Sequence, residues 1–462
     1  MSAITVDHDL VRRLDKPGPR YTSYPTAVEF HDEVGANEYG LHLAAADRRG
    51  ADVPLSLYFH LPFCEHRCAF CGCHVVITRH REIAAGYLDY LYKEIQLTTD
   101  LLPHRRKVSQ LHLGGGTPTY MSPDQLRDLL YVVTSEFDID REAEVAVEVD
   151  PRVTTREHLD TLVELGFNRL SLGVQDLTPE VQVAIDRNQT YKQTLDLVSY
   201  ARSVGFDEGI NVDLIYGLPL QKPETFEQNL EQIIGLRPDR VAMYSFAYVP
   251  WIKGHQKNID TTTLPPPDMK LDLYLMGLEA FLNAGYDPIG MDHFALPDDE
   301  LSRAARVRKL HRNFMGYTVR PAPDMVAFGI SGIGDVTAGY FQNVKKLSTY
   351  YDSLDNGRFP VERGYLLDDD DVLRRDLITQ LMCNFFVDKA ELENRYGISF
   401  DTYFASSLQK LEELGREGIV VFDGASVSVP DAGRLFVRNV CMAFDRYRDA
   451  KAETKPVFSR TV

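Results

Sequence analysis

Between about residue 54 and residue 250, six short runs rich in Val, Ile, Leu and aromatic residues alternate with longer segments of helical spacing, and this alternation constrains the fold more than any other feature. The runs are LSLYFH from Leu55, SQLHLGG from Ser109, EVAVEV from Glu144, NRLSLGV from Asn168, INVDLIYG from Ile210 and RVAMYSF from Arg240. Between them lie AAGYLDYLYKEIQLTTDLL, SPDQLRDLLYVVTSEF, REHLDTLVELGF, YKQTLDLVSYARSVGF and PETFEQNLEQIIGL, with apolar residues three and four apart. Parallel strands need crossovers of this length, so the pattern predicts repeated βα units on a parallel sheet. Six units suit an α/β fold, an open or partial (βα)6 barrel whose functional residues lie at the C-terminal strand ends and in the loops that follow.

The segment KPGPRYTSYPTAVEF, rich in Pro, Gly and Tyr, predicts an N-terminal arm over residues 1–50 that lies across another surface without regular structure in that stretch. The barrel and its extension are expected over 51–345. Beyond them, DDDDVLRRDLITQLMCNFF and FASSLQKLEELGREGIVVFDG predict a mostly helical C-terminal domain over 346–462, with a small hairpin in GIVVFDGASVSVP. The acidic run at 368–371 suits the positive end of a helix better than a metal.

With 462 residues, 44% of them hydrophobic, and 24 dispersed prolines, the chain can bury a large core and has no long low-complexity region. Its N-terminus lacks a signal-peptide core, and no stretch approaches the roughly 20 apolar residues that span a bilayer. A cytoplasmic protein without a membrane partner is expected, with a monomer as the default. A net charge of −18 disfavours a nucleic-acid partner, which Lys and Arg patches would have to hold, while leaving room for a local basic pocket.

Four of the six cysteines fall in FCEHRCAFCGCH, directly after the first predicted strand. Cys64, Cys68, Cys71 and Cys73 are bracketed by His60, His66 and His74, a grouping that points to metal or redox chemistry in a reducing compartment. Structural zinc sites usually gather two separated ligand pairs, and no second pair exists in the chain. Three thiolates can instead hold three irons of a four-iron, four-sulfur cluster and leave the fourth iron open to an outside ligand. In extended backbone Cys73 points away from Cys71, which argues against both serving one cluster. Cys383 and Cys441 stand apart and read as buried packing residues.

Other strand ends carry polar residues that a buried parallel sheet does not need: Glu148 in VEVDPR, Gln175 in LGVQD and Asp213 in NVDLIYG. Each alone reads as a cap or surface carboxylate, but their recurrence at consecutive strand ends points to one barrel mouth. The glycines of LHLGGGTPTY, Gly114 to Gly116, allow a close approach of backbone. GISGIG near Ile333 lacks the helix and spaced acidic residue of a dinucleotide fingerprint. His293 in GMDHFA reads as a buried, hydrogen-bonded histidine before it reads as a proton relay or ligand.

The CxxxCxxC spacing after a first strand resembles the signature of radical S-adenosylmethionine enzymes. More closely, PRYTSYPTA, YFHLPFC, CGC, HLGGGTPTY, EVDPR, GFNRLSLGVQD, IYGLP, GMDHFA and HRNFMGYT resemble the oxygen-independent coproporphyrinogen III oxidases, from the arm to the C-terminal domain. That resemblance implies that Cys64, Cys68 and Cys71 bind one 4Fe-4S cluster. It also implies that Tyr58, Phe70, Gly115, Gly116, Thr117, Glu148, Gln175, Arg187, Asp213, Ala247 and Ile333 contact S-adenosylmethionine, two molecules of it, with Cys73 and Tyr58 in catalytic roles. The implied reaction is oxidative decarboxylation of two propionates of coproporphyrinogen III to vinyl groups, started by a 5′-deoxyadenosyl radical and served by an unidentified electron donor and acceptor. Substrate candidates are Arg20 and Arg312, whose guanidinium forks match carboxylates, and Tyr21 and Tyr24, placed to lie against the macrocycle. The rival is a related haem-binding chaperone, but such relatives usually lack the PRYTSYPT arm and the cysteine corresponding to Cys73.

Overall fold

The computed structural model describes residues 8–207 and 209–450. Twelve strands form its main sheet: β1 Leu55–Leu61, β2 Lys107–Gly115, β3 Asp138–Val149, β4 Arg169–Gln175, β5 Ile210–Tyr216, β6 Arg240–Ser245, β7 Asp287–Gly290, β8 His293–Ala295, β9 Met325–Phe328, β10 Ile333–Asp335, β11 Gly339–Asn343 and β12 Val361–Leu366. Their spatial order is β12-β11-β10-β9-β1-β2-β3-β4-β5-β6-β8-β7. From β9 through β6 every pairing is parallel. The outer strands on both sides run antiparallel. This is the expected α/β partial barrel, an open sheet with its parallel core in chain order.

The crossovers are α1 Arg81–Asp100, α2 Pro123–Glu136, α3 Arg156–Glu164, α4 Tyr191–Val204 and α5 Pro223–Leu236, followed by α6 Pro267–Asn283. Ser122, Thr155 and Thr190 each cap a crossover helix, accepting a hydrogen bond from the backbone N–H three residues on. In β1, Leu55, Leu57, Phe59 and Leu61 turn outward into one core with Leu88 and Leu91 of α1 and Leu126 and Leu129 of α2. The alternate positions Ser56, Tyr58 and His60 face the barrel interior beside Gln110, His112 and Gly114 of β2, a polar lining for the site.

The C-terminal region is organised by α7 Asp369–Asn384, and Asp368 caps it as the acidic run suggests. A second core joins Leu377 and Leu381 of α7 to Phe400, Leu411 and Val440. The expected hairpin is present as Val421–Phe422 and Ser426–Ser428, with Phe386–Asp388 as a third strand. Cys383 and Cys441 are buried here.

Three features depart from expectation. Residues 36–47 of the expected arm form a helix whose Tyr39, Leu43 and Ala46 belong to the barrel core. Strands β9 to β12 are short and were not foreseen, and β9 lies parallel beside β1. The sheet runs through Leu366, so residues 347–366 pack with the barrel rather than with the helical domain that the 345/346 boundary would assign them to.

Candidate active site

The cysteine loop leaves the C-terminal end of β1, where backbone N–H groups of Gly116 and Thr117 donate to Leu61 and Phe63 at 2.9 Å each. A side chain on Gly116 would meet the Pro62 carbonyl at 2.5 Å, and one on Gly115 would meet the His60 ring at 2.6 Å, so the glycine run is what lets the two strand ends close.

Cys64, Cys68, Cys71 and Cys73 line one pocket together with Phe70, Gly115, Gly116, Thr117, Glu148, Gln175, Arg187 and Asp213. Twelve of the positions named from sequence therefore meet at the strand ends. Tyr58 adjoins the pocket from β1, stacked on His112 with ring centroids 5.9 Å apart and hydrogen-bonded to His60 at 3.1 Å. The Ala247 carbonyl accepts from Gln256 at 3.1 Å, and the same amide donates to Phe70. Ile333 begins β10 opposite Gln342 and does not line the pocket.

Cys73 does not point away from Cys71. Residues 71–73 bend instead of extending, so that Cys73 lies beside Cys71 in the same pocket, and its influence holds Cys71 down to about 6, helped by Lys253 and Arg67. Burial pushes Cys64 up to about 11, opposed by the Thr117 hydroxyl 3.4 Å from its sulfur. The Cys68 sulfur accepts from Arg152 at 3.5 Å and Arg187 at 3.6 Å. Among the described residues no three His, Cys, Asp or Glu side chains converge as a single-ion site would require. The bracketing histidines are engaged elsewhere: His60 with the His74 carbonyl at 2.9 Å, His74 with the Lys345 carbonyl at 2.7 Å, and His66 with Arg79 at 2.9 Å. A donor set of thiols ringed by guanidinium groups, one thiol already acidic, fits an iron-sulfur cluster.

Opposite the thiols, Glu148 accepts from His112 and from the backbone N–H of Gly115, each at 3.2 Å. Although burial works to raise it, these donors hold Glu148 below the usual carboxylate range. Burial and then the neighbouring Glu148 push Asp213 up to about 7, against donation from Asn211 at 2.8 Å. A pair of carboxylates with separated affinities faces the thiols across one pocket. The sequence reading missed Asp150 and Arg152, which pair at 2.7 Å and connect the strand end to Arg187 and Cys68. Both stand in EVDPR, where opposite charges two residues apart directly after a strand are the available signal.

The substrate candidates lie elsewhere. Arg20 pairs with buried Asp292 beneath the Tyr244 ring, and its backbone carbonyl accepts from Arg312 at 2.9 Å. Tyr21 and Tyr24 are only 6% and 2% exposed and sit in the C-terminal core, where Tyr21 donates to Asp445 at 2.9 Å and Tyr24 accepts from the Arg446 N–H at 3.2 Å. Their rings anchor the arm, and together with Arg312 they line a second cavity of about 520 Å³. His293 is hydrogen-bonded to Asp292 at 2.9 Å, in keeping with its packing role.

A Radical SAM superfamily model matches residues 58–233, the stretch that supplies β1 to β5 and the cysteine loop, and a HemN C-terminal domain model matches residues 367–436. Fold and site thus define a radical S-adenosylmethionine enzyme, an oxidoreductase with a 4Fe-4S cluster and S-adenosylmethionine implied by that class. An oxygen-independent coproporphyrinogen III oxidase of Pseudomonas aeruginosa is 43% identical over 97% of each chain, and that of Escherichia coli is 42% identical over 100% of each. A solved structure of coproporphyrinogen III oxidase from Escherichia coli, described as a radical SAM enzyme, superposes with a TM-score of 0.91 at 41% identity, covering 96% of this chain and 100% of that one. The chain belongs to the family of oxygen-independent coproporphyrinogen III oxidases. No helix among the described residues is long and apolar enough to cross a membrane.

Proposed function

We propose that the chain converts two propionate side chains of coproporphyrinogen III to vinyl groups, giving protoporphyrinogen IX, with Cys64, Cys68 and Cys71 holding the cluster. When bound, the cluster and S-adenosylmethionine together supply a 5′-deoxyadenosyl radical able to take hydrogen from a propionate β-carbon. The chain's own residues bind and orient. Arg152 and Arg187 donate to the Cys68 sulfur. Glu148 and Asp213 offer acceptors for an ammonium or ribose hydroxyl, and Gly115, Gly116 and Thr117 open backbone to a methionine carboxylate. Gln175, Arg187, Phe70 and Ala247 complete the wall, with Tyr58 beneath. A second S-adenosylmethionine would lie beside the first, toward Tyr58 and Ile333.

For the substrate carboxylates Arg312 is the better donor. Its Nε is buried with no hydrogen-bond partner among the described residues, whereas Arg20 is committed to Asp292. By the resemblance, Cys73 acts in turnover rather than as a ligand, and since it lies beside Cys71 in the same pocket the serine variant below decides between the two roles. The reading includes a cytoplasmic monomer divided into arm, barrel and C-terminal cover.

The observation that carries the proposal is the meeting of three thiols, a glycine cradle and two carboxylates at consecutive parallel strand ends. Its test is anaerobic reconstitution followed by incubation with S-adenosylmethionine, a reductant and coproporphyrinogen III. Protoporphyrinogen and 5′-deoxyadenosine should form together, with Cys68→Ser losing the iron chromophore and Cys73→Ser keeping it while losing turnover. Loss of the chromophore in Cys73→Ser would reassign the ligands, and tight haem binding without turnover would favour the chaperone.

A further inference from the structure

We propose that the exposed Trp251–Ile252 tip, with the cations around the cysteine loop, is the docking surface for an acidic one-electron carrier protein. The inference rests on the iron-sulfur reading above and names the kind of partner that serves it.

The segment after β6 folds back over the cysteine loop through the short helical turn Gly254–Asn258. His255 bonds the Cys71 carbonyl at 3.0 Å, Gln256 donates to the Phe70 carbonyl at 3.3 Å, and Lys253 donates to the Cys73 carbonyl at 3.5 Å. At the tip, Trp251 is 62% and Ile252 59% exposed. Two adjacent large apolar side chains standing in water beside the loop that carries the redox group are what a transient apolar anchor requires.

The rim is basic. Arg67 donates to the Val75 carbonyl at 3.3 Å and Arg79 bonds His66 at 2.9 Å, and no carboxylate pairs with Arg67, Arg79, Lys253 or Lys257 among the described residues. Nearby Glu65 is taken by Arg81, and Glu362 by Lys345. On a chain of net charge −18, unpaired cations gathered around one loop invert the local field and would draw in an acidic partner that the remaining surface repels. Small, charge-steered, weak interfaces suit electron-transfer encounters. In the step itself the carrier loses one electron and the cluster gains it; no bond forms or breaks and no proton moves.

Trp251 is the chain's single tryptophan, so the enzyme's tryptophan emission, after subtraction of the carrier's own measured alone at each concentration, reports this surface. Reconstituted enzyme is titrated with reduced flavodoxin as the acidic probe, and the emission is followed at low and high salt. Turnover is measured in parallel with flavodoxin and with dithionite. Saturable quenching that weakens with salt is expected. Ile252→Ser and Lys257→Glu should each raise the flavodoxin concentration for half-maximal turnover by about tenfold, or about 1.4 kcal/mol of docking, with dithionite-driven turnover unchanged. Absence of saturable quenching, or unchanged half-saturation in both variants while dithionite still drives turnover, overturns the docking surface alone. Failure of dithionite to drive the unsubstituted enzyme overturns the iron-sulfur reading, and the docking surface falls with it.

Discussion

Asp213 is the carboxylate at the strand ends whose charge changes within the working pH range. Burial, reinforced by Glu148, pushes it up to about 7, while Asn211 and Ser171 restrain the rise. Above that value it is charged and attracts an ammonium or accepts from a hydroxyl; below it the carboxyl is neutral and the attraction fades. The KM for S-adenosylmethionine should therefore rise as pH falls from about 8 to 6, and Asp213→Asn should show a high KM with little pH dependence. A steep pH dependence retained in Asp213→Asn would assign the titration to another group. Asp213, Glu148 and Gln175 were legible in the sequence because a strand buried on both faces rarely tolerates a polar residue, so one placed at its end calls for a reason. The Cys71–Cys73 contact was not legible, because side-chain alternation holds only in extended backbone and this loop bends.

At the scale of elements, α1 ties the end of β1 to the turn after β9. Glu94 of α1 accepts from the Gly329 N–H at 2.7 Å, the Asn343 amide at 2.7 Å and the Tyr350 hydroxyl at 2.6 Å. Tyr87, two turns earlier, donates to the His60 carbonyl at 2.7 Å and accepts from the Ile330 N–H. Gly329, at φ +89°, would place a side chain 2.2 Å from the Tyr87 hydroxyl, which accounts for the first glycine of the FGISGIG stretch. Among the described residues no cation balances Glu94, and burial pushes it from 4.5 up to about 7. Because its folded-state affinity for a proton is raised, its contribution to stability is complete below about 4.5 and is lost as pH rises through about 7, a change of about 3 kcal/mol. Denaturation midpoints compared at pH 5 and pH 8 should show that slope in the unsubstituted protein and its loss in Glu94→Gln. The helix was legible from its apolar spacing, but its partners β9 to β12 were not. Strands of three to six residues present too little alternation to separate from loop, and their pairing is set by sheet neighbours remote in sequence. The helix over residues 36–47 is not legible for a related reason: Tyr39, Leu43 and Ala46 form only a narrow apolar stripe.

For the whole molecule, an open sheet leaves one side of the barrel to be covered, and the arm and C-terminal domain meet there. Arg438 donates to the carbonyls of Gly18 and Pro19, Tyr21 and Tyr24 insert into the C-terminal core, and Tyr340 of β11 donates to the Tyr24 carbonyl. Arg20 then reaches inward to Asp292 at the β8 side of the barrel. The sequence indicated an arm lying on something; it could not indicate on what, because the anchoring residues lie 316 to 424 positions away. If the arm held by these buried guanidinium and tyrosine contacts covers the site, loosening it should separate substrate handling from the chemistry on S-adenosylmethionine. Arg438→Ala withdraws its donors from two carbonyls without touching the pocket of the cysteines. It should speed proteolysis within residues 15–30 and raise the KM for coproporphyrinogen III about tenfold. Reductive cleavage of S-adenosylmethionine to 5′-deoxyadenosine should continue, now uncoupled from protoporphyrinogen formation. Normal coupling in a variant whose arm is cut faster would mean that the arm stabilises the fold without closing the site, and equal loss of both products would place Arg438 in the support of the barrel itself.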